Sequence, residues 1–173
     1  MRLFIAIQLS KEMRQLVKDV QETFRWQHVK GNYSPEENLH ITLAFIGEYE
    51  NPDEVLEVME TVVFKPFRIK MDKVGCFDEL WWTGLEDSGE LENLVRQLRH
   101  ALADAGIPFD KKRFKAHVTF LRKPVYPDGR KIAHMSIEPA EMQVTGISLM
   151  QSTRGKNGMI YTELGSVRAA MKA

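Results

Sequence analysis

The tetrapeptide pattern His-x-Thr-x occurs twice, as His40-Ile41-Thr42-Leu43 and His117-Val118-Thr119-Phe120, each inside a run of β-formers, LHITLAFIG and AHVTFLRK. Successive side chains of a strand point to opposite faces, so each His shares a face with its Thr while Ile41 and Leu43, or Val118 and Phe120, take the other. Two strands can therefore each aim an imidazole and a hydroxyl at one site. A lone copy is more often a hydrogen-bonded strand His than a catalytic one. With only five histidines in the chain, a repeat in matching strand context reverses that weighting. Paired imidazoles suit acid–base chemistry near neutral pH, where one ring accepts a proton and the other donates one.

The rest of the chain reads as alternating strands and helices. Arg2 to Leu9 is a nearly continuous apolar run and predicts a buried first strand. Ser10 is an N-cap for a helix with Met13, Leu16, Val17, Val20 and Phe24 at helical spacing. Arg25 to Val29 reads as a short strand, and Gly31 to Pro35 as a loop leading to the first His motif. Asn51-Pro52-Asp53 opens a second helix. Phe67 to Val74 and Leu80 to Gly84 are strands joined around Cys76 and Phe77, and Ser88 to Ala105 is a helix stopped by Gly106. A turn-rich stretch covers residues 123 to 139, and strands over Met142 to Ser152 and Met159 to Leu164 flank the turn Arg154 to Gly158. Each His strand has a helix upstream. The pattern predicts an α+β fold of two related lobes, with antiparallel sheets facing one cleft, within a single domain spanning residues 1–173.

Twenty-four basic and twenty-four acidic residues cancel in the 173-residue chain, which disfavours bulk capture of long duplexes and favours a small or end-of-chain anion. The single cysteine, Cys76, excludes an internal disulfide framework and reads as a buried structural thiol in a reducing cytoplasm. No segment has the apolar length of a membrane span, so the expectation is a soluble, cytoplasmic, monomeric protein without a required protein partner. Zinc competes for His40 and His117, yet there is no His-Glu-x-x-His, no paired cysteine set and no third ligand at a recognisable spacing. The expectation is no metal and no cofactor. Gly155-Lys156-Asn157 lacks the hydroxyl residue and upstream glycine of a phosphate loop.

The chain resembles the two-histidine phosphoesterase superfamily, and within it the LigT-like RNA 2′,3′-cyclic phosphodiesterases, also described as 2′-5′ RNA ligases. The likeness is carried by RLFIAIQL, ENLHITLAFIGE, FKAHVTFLRK and LMQSTRGKNGMIYTELG, in this order over nearly the whole chain. It implies a bilobal fold with pseudo-twofold symmetry and a metal-independent site that opens 2′,3′-cyclic phosphates at RNA ends to 2′-phosphomonoesters, together with a reversible 2′-5′ RNA ligase activity in which an RNA 5′-hydroxyl takes the place of water. By the same resemblance His117 is the base, His40 the acid, and Thr42 and Thr119 donors to the phosphate oxygens.

Arg122, five residues after His117, where the similar proteins often carry Arg, is by that resemblance a candidate phosphate binder, although regular strand parity sends it to the face opposite His117 unless a bulge intervenes. Phe45 and Tyr161 are candidates to stack a base, against the commoner core role of strand aromatics. Trp81-Trp82 sends one ring to each face without showing which. Arg154 and Lys156 read as a solvated hairpin tip, and His28, His100 and His134 as surface or packing residues. Two other readings stay open. One is a phosphodiesterase for ADP-ribose cyclic phosphate or 2′-5′ oligoadenylate; the other is an RNA- or nucleotide-binding module without turnover.

Overall fold

Three side-chain caps set the helices. The hydroxyl of Ser10 accepts the Met13 N–H at 3.2 Å and starts α1 (Lys11–Trp26). Asn51 accepts the Glu54 N–H at 3.2 Å ahead of α2 (Pro52–Glu60), and Ser88 accepts the Leu91 N–H at 3.2 Å ahead of α3 (Gly89–Asp104). In this computed structural model, which describes residues 1–77, 79–129, 132 and 135–170, these helices alternate with nine strands. They are β1 (Arg2–Gln8), β2 (Lys30–Tyr33), β3 (His40–Glu48), β4 (Phe67–Phe77), β5 (Leu80–Leu85), β6 (His117–Val125), β7 (Ala140–Val144), β8 (Gly146–Gly155) and β9 (Gly158–Arg168). No described helix is long and apolar enough to cross a membrane.

The strands form two antiparallel sheets, one in the order β3-β1-β8-β9 and the other β2-β6-β5-β4-β7. Each His strand belongs to a different sheet, as the two-lobed reading expects. The lobes are interleaved along the chain: β2 joins the sheet of β6, and β8 and β9 return to the sheet of β1. One apolar core runs through both, taking Leu3, Ile5 and Ile7 from β1, Val17, Val20 and Phe24 from α1, Leu94 and Leu98 from α3, and Val118 and Phe120 from β6. β3 and β6 approach to Cα separations within 8 Å, so the two His strands meet where the lobes join.

Several sequence expectations are corrected. The short strand over Arg25 to Val29 does not form: α1 runs to Trp26, and His28 follows in the left-handed region at φ 62°. Its N–H bonds to Arg25 O and that of Val29 to Phe24 O, the paired bonds of a Schellman stop. At the end of α3 the same bonds fall on Gly106 and Ile107. Glycine advertised that stop; histidine hid the other. The segment read as a loop from Gly31 instead pairs with β6 as β2, with Gly31 at φ 148° against the β6 backbone. Met142 to Ser152 is two strands: β7 pairs with β4 at the edge of one sheet, and β8 lies between β1 and β9 in the other. Only Gly146 marks the break. β4 continues through Cys76 to Phe77, leaving Cys76 half-buried rather than buried. β9 extends to Arg168, and the hairpin tip is the two-residue turn Lys156-Asn157. Within residues 123 to 139, β6 reaches Val125 and a 3-10 turn covers Pro127–Gly129. His100 lies on α3 in an exposed 3.3 Å pair with Asp104, whereas His134 lies outside the described residues.

Candidate active site

The two motif strands share one irregularity. In β6 the partners on β5 run Gly84 to His117, Thr83 to Val118 and Trp82 to Thr119, then Trp81 to Leu121 and Leu80 to Arg122. Phe120 is the extra residue, so Phe120 and Leu121 are both buried and the parity of the strand flips. Arg122 therefore returns to the face of His117 and Thr119, where an unbroken strand would not put it. In β3 the partners on β1 run Gln8 to His40, Ile7 to Ile41 and Ala6 to Thr42, then Ile5 to Ala44 and Phe4 to Phe45. Leu43 is the extra residue there, Leu43 and Ala44 are both buried, and Phe45 emerges on the His40 face, 39% exposed. The fifth residue after each motif His thus faces the site, a phenyl ring in one lobe and a guanidinium in the other.

Each imidazole is held by the carbonyl two residues before it. Nδ1 of His40 lies 2.6 Å from Asn38 O, and Nδ1 of His117 lies 2.6 Å from Lys115 O. A carbonyl only accepts, so the proton sits on Nδ1 and each neutral ring presents the lone pair of Nε2. On His40 that lone pair accepts the Thr42 hydroxyl at 2.8 Å. Burial pushes both imidazoles below the ordinary value of 6.5, against a raising effect of the carbonyl bonds. The charges of His117 and Arg122 lower His40 further, and those of Lys115 and Arg122 lower His117 further. His40 is the more enclosed ring. Arg122 is within electrostatic reach of both, which places its charge at the meeting of the two motifs.

The walls differ between the lobes. His40 stands among Phe4 at 4.9 Å and Tyr161 at 5.3 Å between ring centroids, and Phe4 in turn stacks on Phe45 at 5.7 Å. Both aromatics proposed from the sequence are thus on the site face. Phe4, almost fully buried, is the floor beneath them, and the alternation of β1 could have revealed it. Beside Phe4 on this face, Gln8 and Ser148 both donate to Glu163 Oε2. His117 stands beside Trp82 at 6.4 Å and Phe77 at 6.0 Å, with Lys115 Nζ 5.1 Å from the Phe77 ring. Trp82 is the site-facing member of its pair; Trp81 lies in the core, donating to Tyr126 Oη at 2.8 Å. Sequence reasoning missed Phe77 and Lys115, and it put one ring of the Trp81-Trp82 pair on each face without deciding which. The available signal was glycine: a Cβ on Gly75 would collide with the Trp82 ring, and one on Gly84 would lie 2.7 Å from its Cζ3. Arg154 and Lys156 are exposed residues by the β8–β9 turn, as the sequence suggested.

Among the described residues no three His, Cys, Asp or Glu side chains gather in a way that could hold a metal ion. The polar side chains on the site face of the two motif strands are two imidazoles, two hydroxyls and one guanidinium. The family model of the 2′-5′ RNA ligase superfamily matches residues 15–156. An RNA 2′,3′-cyclic phosphodiesterase of Archaeoglobus fulgidus is 35% identical over 95% of this chain and 98% of that protein, and one of Thermotoga maritima is 29% identical over 95% and 93%. A crystal structure described as a phosphoesterase superposes with a TM-score of 0.85 at 25% identity, covering 98% of each chain. The chain belongs to the two-histidine, LigT-like RNA 2′,3′-cyclic phosphodiesterases of the 2′-5′ RNA ligase superfamily.

Proposed function

We propose that this protein hydrolyses the 2′,3′-cyclic phosphate at RNA ends to a 2′-phosphomonoester, with His117 as general base, His40 as general acid and no metal in the chemical step. The observation that carries the reading is the pair of imidazoles, one per sheet, each locked by Nδ1 to a backbone carbonyl so that Nε2 is its working atom. In-line displacement at phosphorus places the nucleophile and leaving group on opposite sides, which suits rings delivered by two lobes better than rings on one strand. His117, the less enclosed ring, takes a proton from water on Nε2 as the water oxygen bonds to phosphorus. The bond from phosphorus to O3′ breaks, and His40 Nε2–H protonates that oxygen. Arg122, Thr42 and Thr119 meet the charge on the non-bridging oxygens.

The depressed imidazole values fit the base directly, because His117 is neutral at neutral pH. His40 must gain a proton to act. A bound phosphodiester anion supplies the reason, since its negative charge offsets the field of Arg122 and raises the His40 value on binding. Protonated Nε2 can no longer accept from Thr42, so the same step frees that hydroxyl for the phosphate. Phe45 and Tyr161 flank His40, where the base of the terminal nucleotide would stack.

The test is product analysis of a short RNA ending in 2′,3′-cyclic phosphate, incubated in excess EDTA with the wild type, His40→Ala and His117→Ala. Conversion to 2′-phosphate only, slowed by about a thousandfold in both variants, is expected. No conversion by the wild type, or conversion that EDTA stops, would sink the reading.

A further inference from the structure

The parity flip that brings Arg122 to the site is a bulge against β5, and a bulge leaves its extra residue unpaired with the strand it bulges from. The Phe120 carbonyl, at the bulge itself, accepts the Ser34 N–H at 2.9 Å and Gln21 Nε2 at 3.1 Å. The same Nε2 donates to Ser34 O at 2.9 Å. Gln21 is only 4% exposed, a costly place for an amide on the apolar face of α1 unless both protons are used. It ties the end of β2 to the extra residue of β6. The other lobe repeats the device with a different side chain: Nε and Nη2 of Arg99 on α3 each lie 3.2 Å from the carbonyl of Leu43, the extra residue of β3, while Nη1 donates to Lys112 O at 2.7 Å. In both strands the held carbonyl is three residues after the motif His and two before the residue that the bulge turns inward.

We infer that Gln21 is a positioning residue: by holding the Phe120 carbonyl it fixes the β6 bulge and so aims the Arg122 guanidinium at the reacting phosphate. Arg99 serves β3 and Phe45 in the same way. Gln21 touches no substrate; its influence passes through Arg122.

A double-mutant cycle isolates that path. The imidazole titrations of His40 and His117, faced by Lys115 and Arg122 and by each other, are read by NMR in the wild type, Gln21→Met, Arg122→Ala and the double variant. Gln21→Met is expected to raise the His117 midpoint in the same sense as Arg122→Ala and to add nothing once Arg122 is gone. Turnover of RNA 2′,3′-cyclic phosphate, the one arm resting on the proposed function, should fall about tenfold in kcat, as misplacement of a charge donor does, with no further loss in the Arg122→Ala background. Arg99→Met should keep its whole effect in that background. An effect of Gln21→Met that persists in full without Arg122, or equal coupling of Arg99→Met to Arg122, would overturn the inference. Gln21→Glu, which keeps the volume and removes the amide donors, runs the same cycle if the Met variant folds poorly. A wild type without turnover fails the functional reading alone, because the titrations still decide the role of Gln21.

Discussion

The β3 and β6 lobes are built to one plan and finished differently. Both carry His-x-Thr-x on a strand with the same succession of half-buried, buried and exposed positions over its first six residues, both lock Nδ1 to the carbonyl two residues back, and both bulge three residues after the His. They part at the next inward-facing position. Phe45 makes the β3 side an aromatic enclosure with Phe4 and Tyr161, whereas Arg122 makes the β6 side cationic, with Lys115 nearby. A symmetric scaffold therefore presents two imidazoles held alike, and on the proposed function its asymmetric residues divide the work: one lobe neutralises the phosphate and the other receives the nucleoside.

That division can be broken at graded cost. Removal of either imidazole should cost most, with His117→Ala and His40→Ala each lowering kcat by about a thousandfold, within the range of general acid–base catalysis, as read by steady-state turnover. Arg122→Phe, which makes the β6 lobe imitate its partner, should lower kcat/KM by about a hundredfold, the scale of a lost charge donor at a developing anion. It should also move both limbs of the pH profile upward, because the Arg122 charge depresses both imidazoles. Tyr161→Leu should raise KM by about tenfold with little change in kcat, the loss of one base–aromatic stack. Phe77→Leu in the opposite lobe should change KM less.

The smallest effect concerns stability. Burial holds the folded values of both histidines below 6.5, so the unfolded chain binds more protons as pH falls past that point. Their contribution is present above pH 6.5 and is lost as pH falls through the folded values. Urea midpoints measured at decreasing pH should decline less in His40→Asn than in the wild type. An equal decline would mean that other groups govern the acid side.

Much of this site was legible because strands write their faces into the sequence. The spacing of His40 and Thr42, and of His117 and Thr119, was enough to put four groups on two faces. Arg122 was legible only as a conflict between chemistry and parity, and the bulge that settles it has no residue signature: Phe120 and Leu121 are ordinary core residues. Which member of the Trp81-Trp82 pair faces the site was hidden, because the partners of Trp82 are glycines on a neighbouring strand and on its own, visible only once β4 and β5 are paired. Lobe membership was least legible. Nothing local in Met142 to Ser152 says that its two halves serve different sheets, since pairing is decided by distant strands.

The central claim, that each lobe contributes one proton function, is tested most directly by the pH dependence of kcat for the wild type, His117→Ala and His40→Ala on RNA 2′,3′-cyclic phosphate. The wild type should give a bell. His117→Ala should lose the limb that rises with pH, where the base deprotonates, and His40→Ala the limb that falls, where the acid is lost. If both variants lost the same limb, or either kept the full bell, the division of acid and base between the two lobes would be wrong.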